Sequence, residues 1–125
     1  MASRRPVVVL AALASLAAGC LGAEVRDPPV LTLLDAGGDY AYDPARLEVT
    51  PGATVRIVSA GTEPHTVTHS ASPDGEFHEL VEAGGTATFR APTSPGEYPF
   101  FCVYHASADD APGEGMAGVL VVVGA

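Results

Sequence analysis

From Gly37 to Pro99 the chain never runs more than eight residues without meeting a glycine or a proline. Segments that short cannot hold the three-turn amphipathic helices of an ordinary helical domain, but they suit strands of four to eight residues. Between the breakers lie β-branched and aromatic runs, several with apolar and polar residues alternating. Val30–Leu34 is apolar, Asp39–Asp43 is bounded by Gly37-Gly38 and Pro44, and Arg46–Thr50 alternates up to the turn at Pro51-Gly52. Thr54–Val58, Pro64–His69, Phe77–Val81 and Thr86–Phe89 follow, separated by Ser72-Pro73-Asp74-Gly75 and Gly84-Gly85. Tyr98–Val103 is short and aromatic, and Val119–Val123 is a continuous apolar run, as expected of a strand buried in a sandwich core. The pattern predicts an all-β, Greek-key sandwich of about eight strands. With 125 residues there is room for one such domain, placed at 30–125.

The first 22 residues read as an export signal, not as part of the fold. Arg4 and Arg5 precede an apolar run from Val7 to Ala18, and small residues then lead to Cys20. The run is short for a membrane span. Leu16-Ala17-Ala18-Gly19-Cys20 resembles a bacterial lipobox with its large aliphatic residue one position early, which implies lipidation of Cys20. Simple cleavage near Ala23 and a retained anchor are the alternatives. Arg4-Arg5 also resembles a twin-arginine signal. Residues 23–29, with Asp27-Pro28-Pro29, read as a tether. The expected location is periplasmic, or on the extracytoplasmic face of the membrane.

All fifteen carboxylates lie after Cys20, against four arginines and no lysine, a net charge of −11. Such a surface repels nucleic acid and anionic headgroups, and favours solubility or a partner with a basic docking face. Of the two cysteines, the signal accounts for Cys20. Cys102 is left as a single thiol in an oxidising compartment, where something must occupy it.

Cys102 and His105 are three positions apart at the end of a strand, and Met116 stands where the last strand begins. Some forty residues upstream, Pro64-His65-Thr66-Val67 supplies a second imidazole. One thiolate, two imidazoles and a weak thioether form a ligand set suited to copper in electron transfer.

These elements resemble the cupredoxins, in particular the plastocyanin, pseudoazurin and halocyanin group. The resemblance rests on Arg46-Leu47-Glu48-Val49 before Pro51-Gly52-Ala53-Thr54-Val55, on Pro64-His65-Thr66-Val67, and on Pro95-Gly96-Glu97-Tyr98-Pro99-Phe100-Phe101-Cys102. Gly115-Met116-Ala117-Gly118 and the Val-rich final strand complete it. It implies one type 1 copper ion, with Cys102 as thiolate, His65 and His105 as imidazole ligands and Met116 as the long axial ligand. It further implies that His105, near the surface, is the electron's exit. The implied partners are redox proteins such as a cytochrome or a membrane oxidoreductase; with the anchor expected at Cys20, a lipid-anchored monomer would meet them.

Two departures bear on this. The family usually has asparagine after the first histidine, where Thr66 stands; its N–H can still reach the sulfur and its hydroxyl can replace part of the tie. Ten residues, 106–115, separate His105 from Met116, where about four are usual. Stretching such a loop costs only about 0.8 kcal/mol of closure entropy, so it can bulge outward while Met116 still reaches the metal. Otherwise the axial place is empty or filled by a backbone oxygen. His69 and His78 read as surface residues, His69 sharing a face with His65 under strict alternation, and the four tyrosines read as packing.

Three other functions are compatible with parts of the pattern. A copper carrier without redox cycling would use the same ligands. A multicopper oxidase or nitrite reductase fragment needs more histidines than the four present, and no His-x-His pair occurs. A metal-free adhesion-like sandwich needs no ligand set at all.

Overall fold

The computed structural model describes residues 28–71 and 75–124. The signal segment 1–22 with Cys20, most of the tether, and Ser72–Asp74 of one turn lie outside the described residues.

Among the described residues nine strands form two sheets, one at each of the nine runs read from the sequence and in keeping with the expected count of about eight. They are β1 (Val30–Leu34), β2 (Ala41–Asp43), β3 (Arg46–Val49), β4 (Thr54–Ser59), β5 (His65–His69), β6 (His78–Val81), β7 (Thr86–Arg90), β8 (Gly96–Phe101) and β9 (Ala117–Val122). The first sheet has the order β2-β1-β4-β7 and the second β3-β9-β8-β5-β6. β1 pairs parallel with β4 and β3 parallel with β9; the remaining pairs are antiparallel. At Asp43-Pro44, a cis peptide bond, the chain leaves the first sheet as β2 and enters the second as β3.

Alternation sets which face of each strand is covered. In β4, Val55, Ile57 and Ser59 are buried while Thr54 and Arg56 face solvent. β9 departs from alternation, its first four residues all being buried, and it lies inside the five-stranded sheet between β3 and β8. Leu31, Leu33, Val55, Ile57 and Phe89 of the first sheet face Val67, Val81, Phe100, Leu120 and Val122 of the second. Aromatic rings join the two layers: Phe77 stacks on Phe89 at 4.7 Å, and Phe100 meets Tyr42 edge-on at 4.8 Å. Gly118 is required beside Phe100, since a Cβ there would lie 2.7 Å from the ring and 2.8 Å from the Ala45 carbonyl oxygen.

β8 spans 96–101, not the expected 98–103, because its pairing with β9 starts at Gly96↔Val122 and stops at Phe101↔Ala117. Cys102 therefore stands just beyond the strand, where the chain turns and the His105 N–H donates to the Cys102 carbonyl at 3.2 Å.

His78 is exposed as expected, but His69 is half-buried, stacked on Phe77 at 5.3 Å and tilted against Tyr98. At the far end of β5 it is about 13 Å along the strand from His65, so its place is structural. Its Nδ1 accepts the Glu76 N–H at 2.8 Å, which fixes a neutral ring. Burial holds its pKa below the ordinary histidine value, against a smaller upward pull from Glu76. The unfolded chain takes up this proton near pH 6.5 and the folded one only at lower pH. Between those two points the unfolded state binds more protons, so stability falls as pH drops through about 6.5 and levels off below the folded pKa. The urea midpoint of the metal-free domain is expected to be lower at pH 5.5 than at 7.5. That part of the difference should be missing in His69→Gln.

Candidate metal centre

Residues from five places in the chain meet at one end of the sandwich. β1 ends there and leads into Asp35, β2 begins there after Tyr40, and β5 begins there with His65. β8 ends there before Cys102, and β9 begins there after Met116.

His65 Nδ1 lies 3.9 Å from Cys102 Sγ and His105 Nδ1 lies 3.6 Å from it, and all three ligand atoms fall within 4.8 Å of one another. Bonds of about 2.0–2.3 Å from one first-row ion to nitrogen and sulfur, spread in a plane, put neighbouring ligand atoms about 3.7 Å apart. The cluster therefore fits a single ion without rearrangement. His65 and Cys102 are fully buried and His105 is partly so, with the two imidazole rings tilted 58° to one another.

Thr66 ties the two ligand segments together. Its N–H points at Cys102 Sγ at 3.4 Å, and its hydroxyl accepts the Val103 N–H at 3.0 Å. A second hydroxyl, that of Thr68, donates to it at 2.9 Å. The carbonyl of Thr66 accepts a hydrogen bond from the buried Tyr42 phenol. Burial, and the neighbouring Cys102, push the pKa of Tyr42 far up, so the phenol remains a donor across the physiological range. Threonine thus supplies the tie between the ligand loops through its hydroxyl where asparagine is usual.

The long loop 106–115 folds on itself in two tight turns. Asp110 N–H donates to the Ser107 carbonyl, Asp110 Oδ2 accepts the Ser107 N–H, and Glu114 N–H donates to the Ala111 carbonyl. Its ends come together, the Cys102 N–H donating to the Met116 carbonyl at 3.0 Å. The extra residues bulge outward and Met116, with no exposed surface, is brought alongside the cysteine.

Three residues absent from the expected site surround the histidines. Asp35 Oδ2 is 2.8 Å from His65 Nε2, with both side chains buried. Glu63 Oε1 is 3.4 Å from His105 Nε2, and Glu63 Oε2 accepts the Tyr40 phenol at 2.9 Å. Tyr40 stacks on His105 at 3.8 Å and 14°, so one of the four tyrosines read as packing belongs to the site. The Glu63 hydrogen bond, burial and the nearby carboxylates push the pKa of Tyr40 up. The hydrogen bond from His65 holds that of Asp35 down, against burial, helped by the Thr62 and Glu63 N–H groups. Asp35 sits before Ala36-Gly37-Gly38 and has the sequence context of an ordinary turn residue, which hid it.

Residues 7–122 match the family described as Cupredoxin-like domain. The chain belongs to the cupredoxin family. Among curated proteins, this cupredoxin is 29% identical over 128 residues to a plastocyanin of a Synechococcus species, covering 90% of each chain. It is also 29% identical over 100 residues to a plastocyanin of Nostoc punctiforme, covering 70% of this chain and 68% of that one. Among solved structures, it resembles a reduced amicyanin variant at 25% identity and a TM-score of 0.57, covering 82% of this chain and 89% of that one. Amicyanin from Paracoccus versutus, 22% identical with a TM-score of 0.59, shares the fold over 82% of this chain and 88% of its own.

Proposed function

We propose that this cupredoxin is a type 1 copper protein that carries single electrons and turns over no substrate. The observation that carries the reading is the His65–Cys102–His105 cluster, closely spaced, with two of its members fully buried and both Nδ1 atoms turned toward the sulfur. When bound, copper supplies a one-electron couple at this site. His65, Cys102 and His105 would hold it, and Met116, buried and bonded through its carbonyl to the Cys102 N–H, would offer its thioether as a fourth, weaker ligand. Thr66 N–H and the Tyr42 phenol hold the sulfur and the His65 strand end in one arrangement, so little has to move when charge changes. His105, the least buried of the three, is the route by which electrons leave.

The exported, lipid-anchored setting belongs to the same proposal. Its support is the Arg4-Arg5 start, the apolar run and Cys20, together with a net charge of −11 beyond them. The protein would work as a monomer at the extracytoplasmic membrane face, passing electrons between membrane-associated partners such as a cytochrome. Confinement to a surface raises encounter frequency without new contacts.

Voltammetry of the copper-loaded protein tests the reading. A reversible one-electron wave with copper content unchanged after cycling is expected. Metal loss on each reduction would favour a copper carrier, and no wave with stoichiometric copper would overturn electron transfer.

A further inference from the structure

Asp35 is built into the molecule more firmly than a turn residue needs to be. Its side chain is 3% exposed, and its two oxygens accept the Thr62 N–H at 3.0 and 2.9 Å and the Glu63 N–H at 3.0 Å. Gly61 makes room for it, since a Cβ there would fall 2.2 Å from Asp35 Oδ2. The whole 61–63 loop, two residues before the first ligand, is wrapped around this one carboxylate. The remaining contact of Oδ2 is His65 Nε2 at 2.8 Å. A carboxylate there can only accept, so Nε2 carries the proton and Nδ1 presents its lone pair toward Cys102 Sγ.

We infer that Asp35 is a positioning residue that fixes the tautomer and tilt of His65 and, through its charge, favours the cupric over the cuprous state. The inference rests on the copper reading above. It follows from electrostatics: the oxidised site carries one more positive charge than the reduced one, so a buried anion one imidazole away stabilises it preferentially. A hydrogen bond to a carboxylate also makes the imidazole a stronger donor, which acts in the same direction.

The test uses the full copper-loaded protein and three variants. Asp35→Asn keeps an acceptor for Nε2–H but removes the charge; Asp35→Ala removes both. Gly61→Ala leaves Asp35 in the sequence and pushes its carboxylate off the ring. The blue band of the unaltered protein is measured first; its absence would defeat the copper reading, and the role of Asp35 with it. With that band present, Asp35→Asn should keep it while the ratio of cupric to cuprous affinity falls about tenfold, an upward potential shift of about 59 mV. Gly61→Ala should shift the potential the same way. In the cuprous protein a slowly exchanging imidazole N–H should appear in the proton spectrum and vanish in Asp35→Ala. An unchanged potential in Asp35→Asn and Gly61→Ala, or no protected imidazole proton in the parent, would overturn the role of Asp35 and leave the copper reading standing.

Discussion

Cys102→Ser should take up cupric ion without turning blue. The sulfur is the atom that both histidine distances share, 3.9 Å to His65 and 3.6 Å to His105, and it accepts the Thr66 N–H. A serine oxygen sits closer to its own Cβ and farther from both rings, and it does not ionise near neutral pH as a metal-bound thiol does. The intense visible absorption comes from the thiolate–copper bond, so the loss is complete and not partial. The fold itself is expected to survive. The serine hydroxyl can accept the Thr66 N–H, and a hydrogen bond changed in this way costs about 1 kcal/mol. Visible absorbance after one equivalent of cupric ion, beside a urea titration of the metal-free protein, separates the two effects. A serine variant that stays intensely blue would remove Cys102 from the site.

The largest loss of stability is expected from Phe100→Ala, about 3–5 kcal/mol, against a typical total of about 5–15 kcal/mol for a domain. Phe100 is 1% exposed and lies edge-on to Tyr42 at 4.8 Å and to Phe77 at 6.3 Å, and its ring edge occupies the space left by Gly118. Neighbours held in two sheets cannot collapse into the space it vacates. From the other side, Gly118→Ala overfills the same place and should cost about 1–3 kcal/mol. Combined with Phe100→Ala it should cost less than the sum, because the cavity accepts the methyl group. Urea midpoints of the three variants measure this directly. A loss below about 1 kcal/mol for Phe100→Ala would contradict the packing described.

Much of this is legible in the sequence. β1 coincides with the expected Val30–Leu34, and the runs at 46–50, 54–58 and 86–89 differ from β3, β4 and β7 by a residue at most, because glycine and proline close them at both ends. The His65, Cys102 and His105 set was legible because a thiol and two imidazoles stand in the order and spacing of the cupredoxin pattern, with Cys102 and His105 three positions apart. Partners across sheets were not. Nothing local in Asp35-Ala36-Gly37-Gly38 distinguishes a turn aspartate from one that grips a histidine thirty residues on. Tyr40 and Glu63 meet His105 only because β2 and β5 begin at the same end of the sandwich. Alternation placed His69 on the face of His65 but could not say that Phe77 would cover it.

One consequence of the strand order concerns synthesis. β9 follows every other strand along the chain yet lies in the middle of its sheet, between β3 and β8. A nascent chain on the ribosome that has made residues up to 116 already holds His65, Cys102, His105 and Met116, but β3 still has no neighbour in its sheet and β8 is paired along one edge only, with β5. The cage can close only once β9 has been made and set between β3 and β8. If the chain crosses its membrane as an unfolded thread, it crosses without metal, and the copper ion must be met on the other side.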